Sequence, residues 1–405
     1  MSSLHPFRAL RPAPGTAPAV SSVPYDVVST EEARELAAGH PLSFLRVTRS
    51  EIDFAPTTDP YSGQVYAKAR SNFETLKRQG PLVMEDTPSL YFYRLRMGEH
   101  QQTGIAGCFS VDEYESDVIK KHERTRRDKE DDRTRHILEL RAQTGVVFLT
   151  YKSAAGVDAV ARRATAENPL YDFTAEDGVQ HTLWRVPAAD TRALVSEFAA
   201  IPSLYIADGH HRAASAARAR AELRGQPDAE ESHTFIAVAF PDDQVQILPY
   251  HRTVKDLAGR SPEQFLDELR TVAPVGEGTA TPRHKGEVSM YLGGRWYVID
   301  LSRTSPEDDS RASSLDVALL QRNVLERILA IGDVRSDKRI DFVGGARGTK
   351  ALEDAVDSGK AAVAFSMFPV EIGDLIAISD AGGIMPPKST WFEPKLRDGL
   401  LIHTI

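Results

Sequence analysis

Asp208-Gly209-His210-His211-Arg212 sets a carboxylate, two imidazoles and a guanidinium side by side around one glycine. Ser203 to Ala207, just before it, is short and apolar, as a buried strand should be. Ala213 to Leu223, just after it, is rich in Ala and Arg and has high helix propensity. The polar residues therefore fall at a strand-to-helix break. Gly209 permits a sharp turn or close backbone approach, and Asp208 can cap the new helix. A helix start presents free N–H groups and a partial positive charge, so His210, His211 and Arg212 there make a phosphate seat. An ordinary turn carrying two surface histidines accounts for the same residues without any ligand.

A second cluster is Lys121-His122-Glu123-Arg124-Thr125. Residues 120–135 carry eight basic and five acidic side chains, the composition of a solvated loop and the first turns of a helix, expected over Lys129 to Gln143. The same loop offers a base in Glu123, phosphate donors in Lys121, His122 and Arg124, and a hydroxyl in Thr125. Those are the groups that phosphoryl transfer needs. A third segment, Met385-Pro386-Pro387-Lys388-Ser389-Thr390, is held extended by its prolines and then supplies an ammonium and two hydroxyls. It reads as a stiff surface loop or as a loop returning to the site.

These segments carry a resemblance. Asp208 to Arg212 resembles the signature of the domain-of-unknown-function 1015 (DUF1015) family. The likeness runs over nearly the whole chain, through Val23-Pro24-Tyr25-Asp26-Val27, Lys121 to Thr125, Asp132-Arg133 and Met385 to Thr390. It lifts the Lys121 loop above a solvated face and adds His251 and Arg252, after Pro249-Tyr250, as second-rank ligands. The Asp208 to Arg212 turn is also similar to the nucleotide-binding turn of the ParB/sulfiredoxin superfamily, which includes free serine kinases. That likeness implies a ParB/sulfiredoxin-like core, a nucleotide donor (ATP or ADP, with pyrophosphate open), Mg²⁺, and free L-serine as acceptor. It also implies a carboxylate that activates the hydroxyl, and Glu123 and Asp208 are the two candidates. The expected catalytic residues are Glu123, Asp208 and His211, with Asp208 also the metal ligand. The expected ligand-binding residues are Lys121, His122, Arg124, Thr125, Gly209, His210, Arg212, His251, Arg252, Lys388, Ser389 and Thr390. Two other functions remain open. One is a nucleotide-binding regulatory or interaction protein without turnover. The other is a metal-dependent hydrolase built on His122, His210, His211 and Asp208.

Around these segments the patterning predicts a mixture of strands and helices. Ser29 or Thr30 caps a helix through Ala38. Pro24 to Val28 is a turn entering a short strand, Pro41 to Val47 reads as a strand, and Tyr61 to Gln79 has helical spacing. Leu90 to Arg96 and Thr103 to Val111 form a hairpin, as do Thr234 to Phe240 with Val245 to Leu248, and Val288 to Leu292 with Trp296 to Leu301 across Gly293-Gly294. Ala188 to Ala200 is helical, Leu315 to Leu329 is an amphipathic helix, and Val370 to Ile378 is a connector. Residues 275–286 read as a linker or long loop. The fold class is α/β in the mixed α+β sense, with hairpins and an additional C-terminal α/β region. Domains are expected at 1–274 and 287–405.

Composition bounds the function. The chain has 405 residues, enough for two domains, and a formal net charge of -9, which argues against nucleic acid as main partner. Cys108 is the only cysteine, so no intrachain disulfide forms and a cytoplasmic location is expected. No apolar run reaches membrane-spanning length, and the N-terminal stretch lacks the apolar core of a signal peptide.

Overall fold

The computed structural model describes residues 2–227 and 229–405. The chain forms two compact units, one of residues 1–245 with 394–405 and the other of residues 246–393. The fold is mixed α+β.

The first unit is built on an eight-stranded sheet. Its order runs Ile119–Lys120, Leu204–Asp208, Val147–Tyr151, Thr234–Pro241, His100–Ser110, Tyr91–Met97, Gln180–Arg185, Tyr171–Thr174. Leu204–Asp208 is parallel to Ile119–Lys120, and Thr234–Pro241 is parallel to Val147–Tyr151; every other pairing is antiparallel. The central strands are buried on both faces, which explains their continuous apolar character. Leu149, Ile206, Phe109, Phe198 and Ala237 belong to one core with residues of the helices Ala155–Ala164, Ala188–Ala199 and His210–Leu223. A smaller sheet pairs Ala9–Pro12 with Leu82–Met84 and with Ile402–Thr404, which in turn pairs Ala142–Gln143. Cys108 is buried in the large sheet, and burial pushes its thiol well up.

The second unit centres on a six-stranded antiparallel sheet, ordered Val275–Glu277, Arg295–Asp300, Glu287–Leu292, Val363–Met367, Tyr250–Val254, Ile340–Gly344. The hairpin across Gly293-Gly294 forms as expected.

Several local expectations change. Leu45–Thr48 is a short helix rather than part of a strand, with Phe44, Leu45 and Val47 buried; an apolar run this short is compatible with either element. Residues 25–28 make a turn with no strand after it. Thr234–Pro241 does not fold back on Ile247–Leu248, which pairs with Trp391–Phe392 instead. Ile372–Asp380 is a helix, not a connector, and Asp316–Leu320 passes into a π-helical turn over Gln321–Glu326. Residues 275–286 begin with the strand Val275–Glu277, which pairs with Tyr297–Ile299. Ser29, not Thr30, caps the helix Thr30–Leu36, in a reciprocal box with Glu32.

Candidate functional site

The site is assembled where Leu204–Asp208 ends. The pairing with Val147–Tyr151 slips between Ile206 and Asp208, so Ala207 is an extra residue just ahead of the site. Such a bulge re-aims the side chain that follows it. Gly209 is the helix N-cap with φ 97°, a left-handed value that glycine takes without strain. A Cβ there would also sit 3.3 Å from Arg212 Nη1 and 3.4 Å from the Val147 Cα. No side chain caps the helix His210–Leu223, and among its first N–H groups that of Arg212 already donates to the Gly209 carbonyl at 2.9 Å, which leaves the amides ahead of it for a ligand. Asp208, expected as a cap, instead accepts a hydrogen bond from Lys395 Nζ at 3.0 Å.

Burial alone would raise the Asp208 carboxyl. Lys395 and Arg212 more than offset that and hold it well below the usual carboxylate range. Arg212 is buried; its Nη1 and Nη2 donate to protein groups, while its buried Nε has no hydrogen-bond partner. Nη2 reaches both carboxylate oxygens of Asp26, at 2.9 and 2.7 Å, and Nη1 donates to the Val146 carbonyl at 2.6 Å. The Tyr25 ring lies between two guanidinium groups, Arg133 at 4.2 Å and Arg212 at 5.8 Å from its centroid. Asp398 completes this interior cluster. Burial pushes its carboxyl up to about 7, against the pull of Arg212 and with the help of Asp26.

The Lys121 to Thr125 loop meets the start of the helix His210–Leu223. The His122 backbone N–H donates to His210 Nε2 at 3.4 Å, and the two rings pack edge to face with centroids 4.4 Å apart. With Nε2 accepting, the neutral His210 ring carries its hydrogen on Nδ1, which lies 3.9 Å from Glu123 Oε2. The Arg126 N–H donates to His211 Nε2 at 3.0 Å. Burial lowers all three imidazoles, His122 to about 4 and His210 well below the ordinary value, so they are neutral near pH 7. They can serve a ligand as neutral donors or acceptors, not as cations.

The other expected residues divide. Lys121 turns to the Tyr114 carbonyl at 2.7 Å and Asp117 at 2.6 Å. Thr125 donates to Glu130, and Arg124 is exposed beside Glu123. His251, Arg252, Lys388, Ser389 and Thr390 belong to the second unit. There Arg252 Nη2 donates to the Lys388 carbonyl at 2.9 Å, His251 Nδ1 accepts from the Met367 N–H at 3.1 Å, and Ser389 donates to the Pro386 carbonyl. Among the described residues no three His, Cys, Asp or Glu side chains are placed to hold a metal ion. Asp26, Arg133, Lys395 and Asp398 were not among the expected site residues. Asp26 and Arg133 lie in segments that carried the family likeness; Lys395 and Asp398 had no motif to mark them.

Similar solved structures overlap loosely. A conserved hypothetical protein from Pyrococcus furiosus is 14% identical, covers 73% of this chain and 94% of its own, and has a TM-score of 0.36. A free serine kinase mutant in complex with AMP is 11% identical, with 73% and 91% coverage and a TM-score of 0.36. A C-terminally truncated SbnI from Staphylococcus aureus is 13% identical, with 72% and 85% coverage and a TM-score of 0.38. No curated protein matches the chain significantly. The profile of the proteins of unknown function termed DUF1015 does match, over residues 4–318, which include Asp26, Glu123, Asp208 and Arg212, and the chain belongs to that family.

Proposed function

We propose that this protein is a small-molecule kinase that moves a phosphoryl group from a nucleotide to a hydroxyl, with free L-serine as acceptor. The observation that carries the reading is the meeting of Glu123 with His210 at the uncapped start of the helix His210–Leu223, next to an Asp208 held ionised by Lys395. The likeness of the Asp208 to Arg212 turn to a nucleotide-binding turn supports the choice of donor and acceptor.

The roles follow from the environments. The N–H groups after Gly209 and the exposed Arg124 meet the donor phosphates, where positioning and charge neutralisation matter more than covalent chemistry. Glu123 is the base. It is 45% exposed, so an acceptor hydroxyl can reach it, and the neutral His210 ring lies near it, Nδ1 3.9 Å from Oε2. Asp208 is a poor base because its proton affinity is depressed, and it suits a cation instead. It can lend one oxygen to a Mg²⁺ that arrives with the donor, which needs only one or two protein carboxylates. His211, fixed through the Arg126 N–H, is a polar neighbour of the transferred group. In the step itself Glu123 takes the hydroxyl proton, the freed oxygen bonds to the terminal phosphorus, and the bond from that phosphorus to the donor's bridging oxygen breaks. Arg212 acts from below by fixing Asp26 and the turn.

Phosphorus NMR of the protein with Mg²⁺, L-serine and ATP, then ADP, then pyrophosphate, tests the reading. O-phosphoserine should appear with one donor, and Glu123→Gln should cut its rate by roughly two to four orders of magnitude. No phosphoserine from any donor would overturn the serine reading.

A further inference from the structure

A groove of about 260 Å³ lies in the first unit, outside the residues assigned above. Its apolar walls include Phe173, Leu45 and Val23, and hydroxyls come from Ser21, Ser22 and Ser43. Its charged lining is the Arg397 guanidinium against the carboxylates of Glu176 and Asp177, with His40 the remaining titratable group. Arg397 is nine-tenths buried and held at two corners: Nη2 donates to Asp177, and Nε to His181 Nε2 at 3.4 Å. Nη1 takes part in neither bond. A lining with one fixed cation and two carboxylates suits a molecule that carries both charges. Arg397 Nη1, outside both bonds, can donate to a carboxylate, and Glu176 with the exposed Asp177 matches an ammonium.

The groove is also continuous along the chain with the phosphate seat. Arg397 follows Lys395, the partner of Asp208, by two residues, so their Cα atoms are at most about 7 Å apart. On the other side Ser22 lines the groove, exchanges backbone hydrogen bonds with Asp398, and stands four residues before Asp26, the partner of Arg212. Ser22 Oγ is buried without a protein partner.

We infer that this groove is the acceptor subsite and takes a free α-amino acid, the carboxylate on Arg397 and the ammonium on Asp177 and Glu176. The placement as acceptor subsite rests on the kinase reading; the binding of a zwitterion does not. The size fits, since the groove of about 260 Å³ is larger than a small amino acid.

The test is calorimetric titration of the full chain, without nucleotide, with L-serine, L-serine methyl ester, ethanolamine and D-glycerate. L-serine should bind, and each analogue, which lacks the carboxylate or the ammonium, should bind about tenfold more weakly or worse. Removing Arg397 risks the fold, so two surface-tolerant variants carry the test. Glu176→Gln removes half of the ammonium site without touching the Arg397–Asp177 pair, and Ala19→Trp, at an exposed lining position, fills the groove. Both should melt like the wild type and weaken L-serine about tenfold or more. No L-serine binding, equal binding of the methyl ester, or unchanged affinity in both variants would overturn the inference. Phosphorylation of another hydroxyl compound without serine binding would sink the groove assignment and leave a kinase. Glu176-dependent serine binding with no phosphorylated product would sink the kinase and leave the groove.

Discussion

The Lys395 ammonium lies 3.0 Å from Asp208 Oδ2, while the nearest approach of the Arg212 guanidinium to that oxygen is 4.0 Å. Lys395 is therefore the close partner of Asp208. Lys395→Met should destabilise the protein by ~1–3 kcal/mol, less than the full loss for a buried pair because solvent reaches part of the carboxylate. Asp208→Asn combined with Lys395→Met should recover most of that loss, because no charge is then left alone. Urea unfolding of the two single variants and the double variant reads the coupling directly. Additive losses would mean that the pair does not hold the turn.

Arg212 is expected to behave as an interior residue before it behaves as a ligand. Arg212→Ala leaves Asp26 without the Nη2 donor that reaches both its oxygens and removes the charge that most lowers Asp398, at a cost of roughly 2–5 kcal/mol. Arg212→Lys keeps a charge but cannot span Asp26 and the Val146 carbonyl together, so it should fall between alanine and wild type. Thermal melting orders the three proteins, and an alanine variant that melts with the wild type would contradict this placement.

Gly209→Ala forces a Cβ into a left-handed backbone at φ 97° and against Arg212. The strain is ~1–2 kcal/mol for the conformation alone. Nucleotide affinity, measured by titration, should fall with it, because the same amides form the proposed seat. Stability lost with affinity unchanged would separate the turn from the ligand.

Two sets of buried groups predict opposite pH trends. His122 and His210 have lowered affinities for protons in the folded state. Their contribution is present above the ordinary imidazole value and is lost as pH falls toward about 4. Asp398 is raised to about 7, so its protonated form stabilises the fold below the ordinary carboxylate range. That contribution fades as pH rises through about 7. Asp398→Asn should therefore gain stability relative to the wild type between pH 5 and about 8, the gain growing with pH. Unfolding curves at a series of pH values check the sign; a gain that shrinks with pH would refute it.

The alternation in Leu90–Arg96 and the glycine pair at Gly293-Gly294 were legible as hairpins because turn and register are local. The apolar run of Ser203 to Ala207 was legible as a buried strand for the same reason. Leu45–Thr48 was not, since a short apolar run fits strand and helix alike until its neighbours decide. The meeting of His122 and Glu123 with His210 was anticipated from chemistry, each segment lacking what the other supplies. Arg212 shows the limit of such reasoning. A guanidinium at a helix start reads as a phosphate ligand, and nothing nearby in sequence shows that Asp26, far up the chain, occupies it. Lys395 had still less to mark it, since its role depends on a long-range return of the chain.

That return bears on how the protein is made. The segment 246–393 leaves and re-enters the first unit at neighbouring points, for the Glu393 N–H donates to the Gln246 carbonyl at 3.1 Å. It has the topology of a domain inserted into a loop. On the ribosome, Asp208 and its helix emerge well before their partner Lys395, and the whole insert is translated in between. The nascent first unit must wait with a carboxylate that has only the more distant Arg212 to offset it, while the insert, closed on itself, is free to fold first. A stop codon just after the insert would therefore release a chain that has every motif visible in its sequence and an unfinished site.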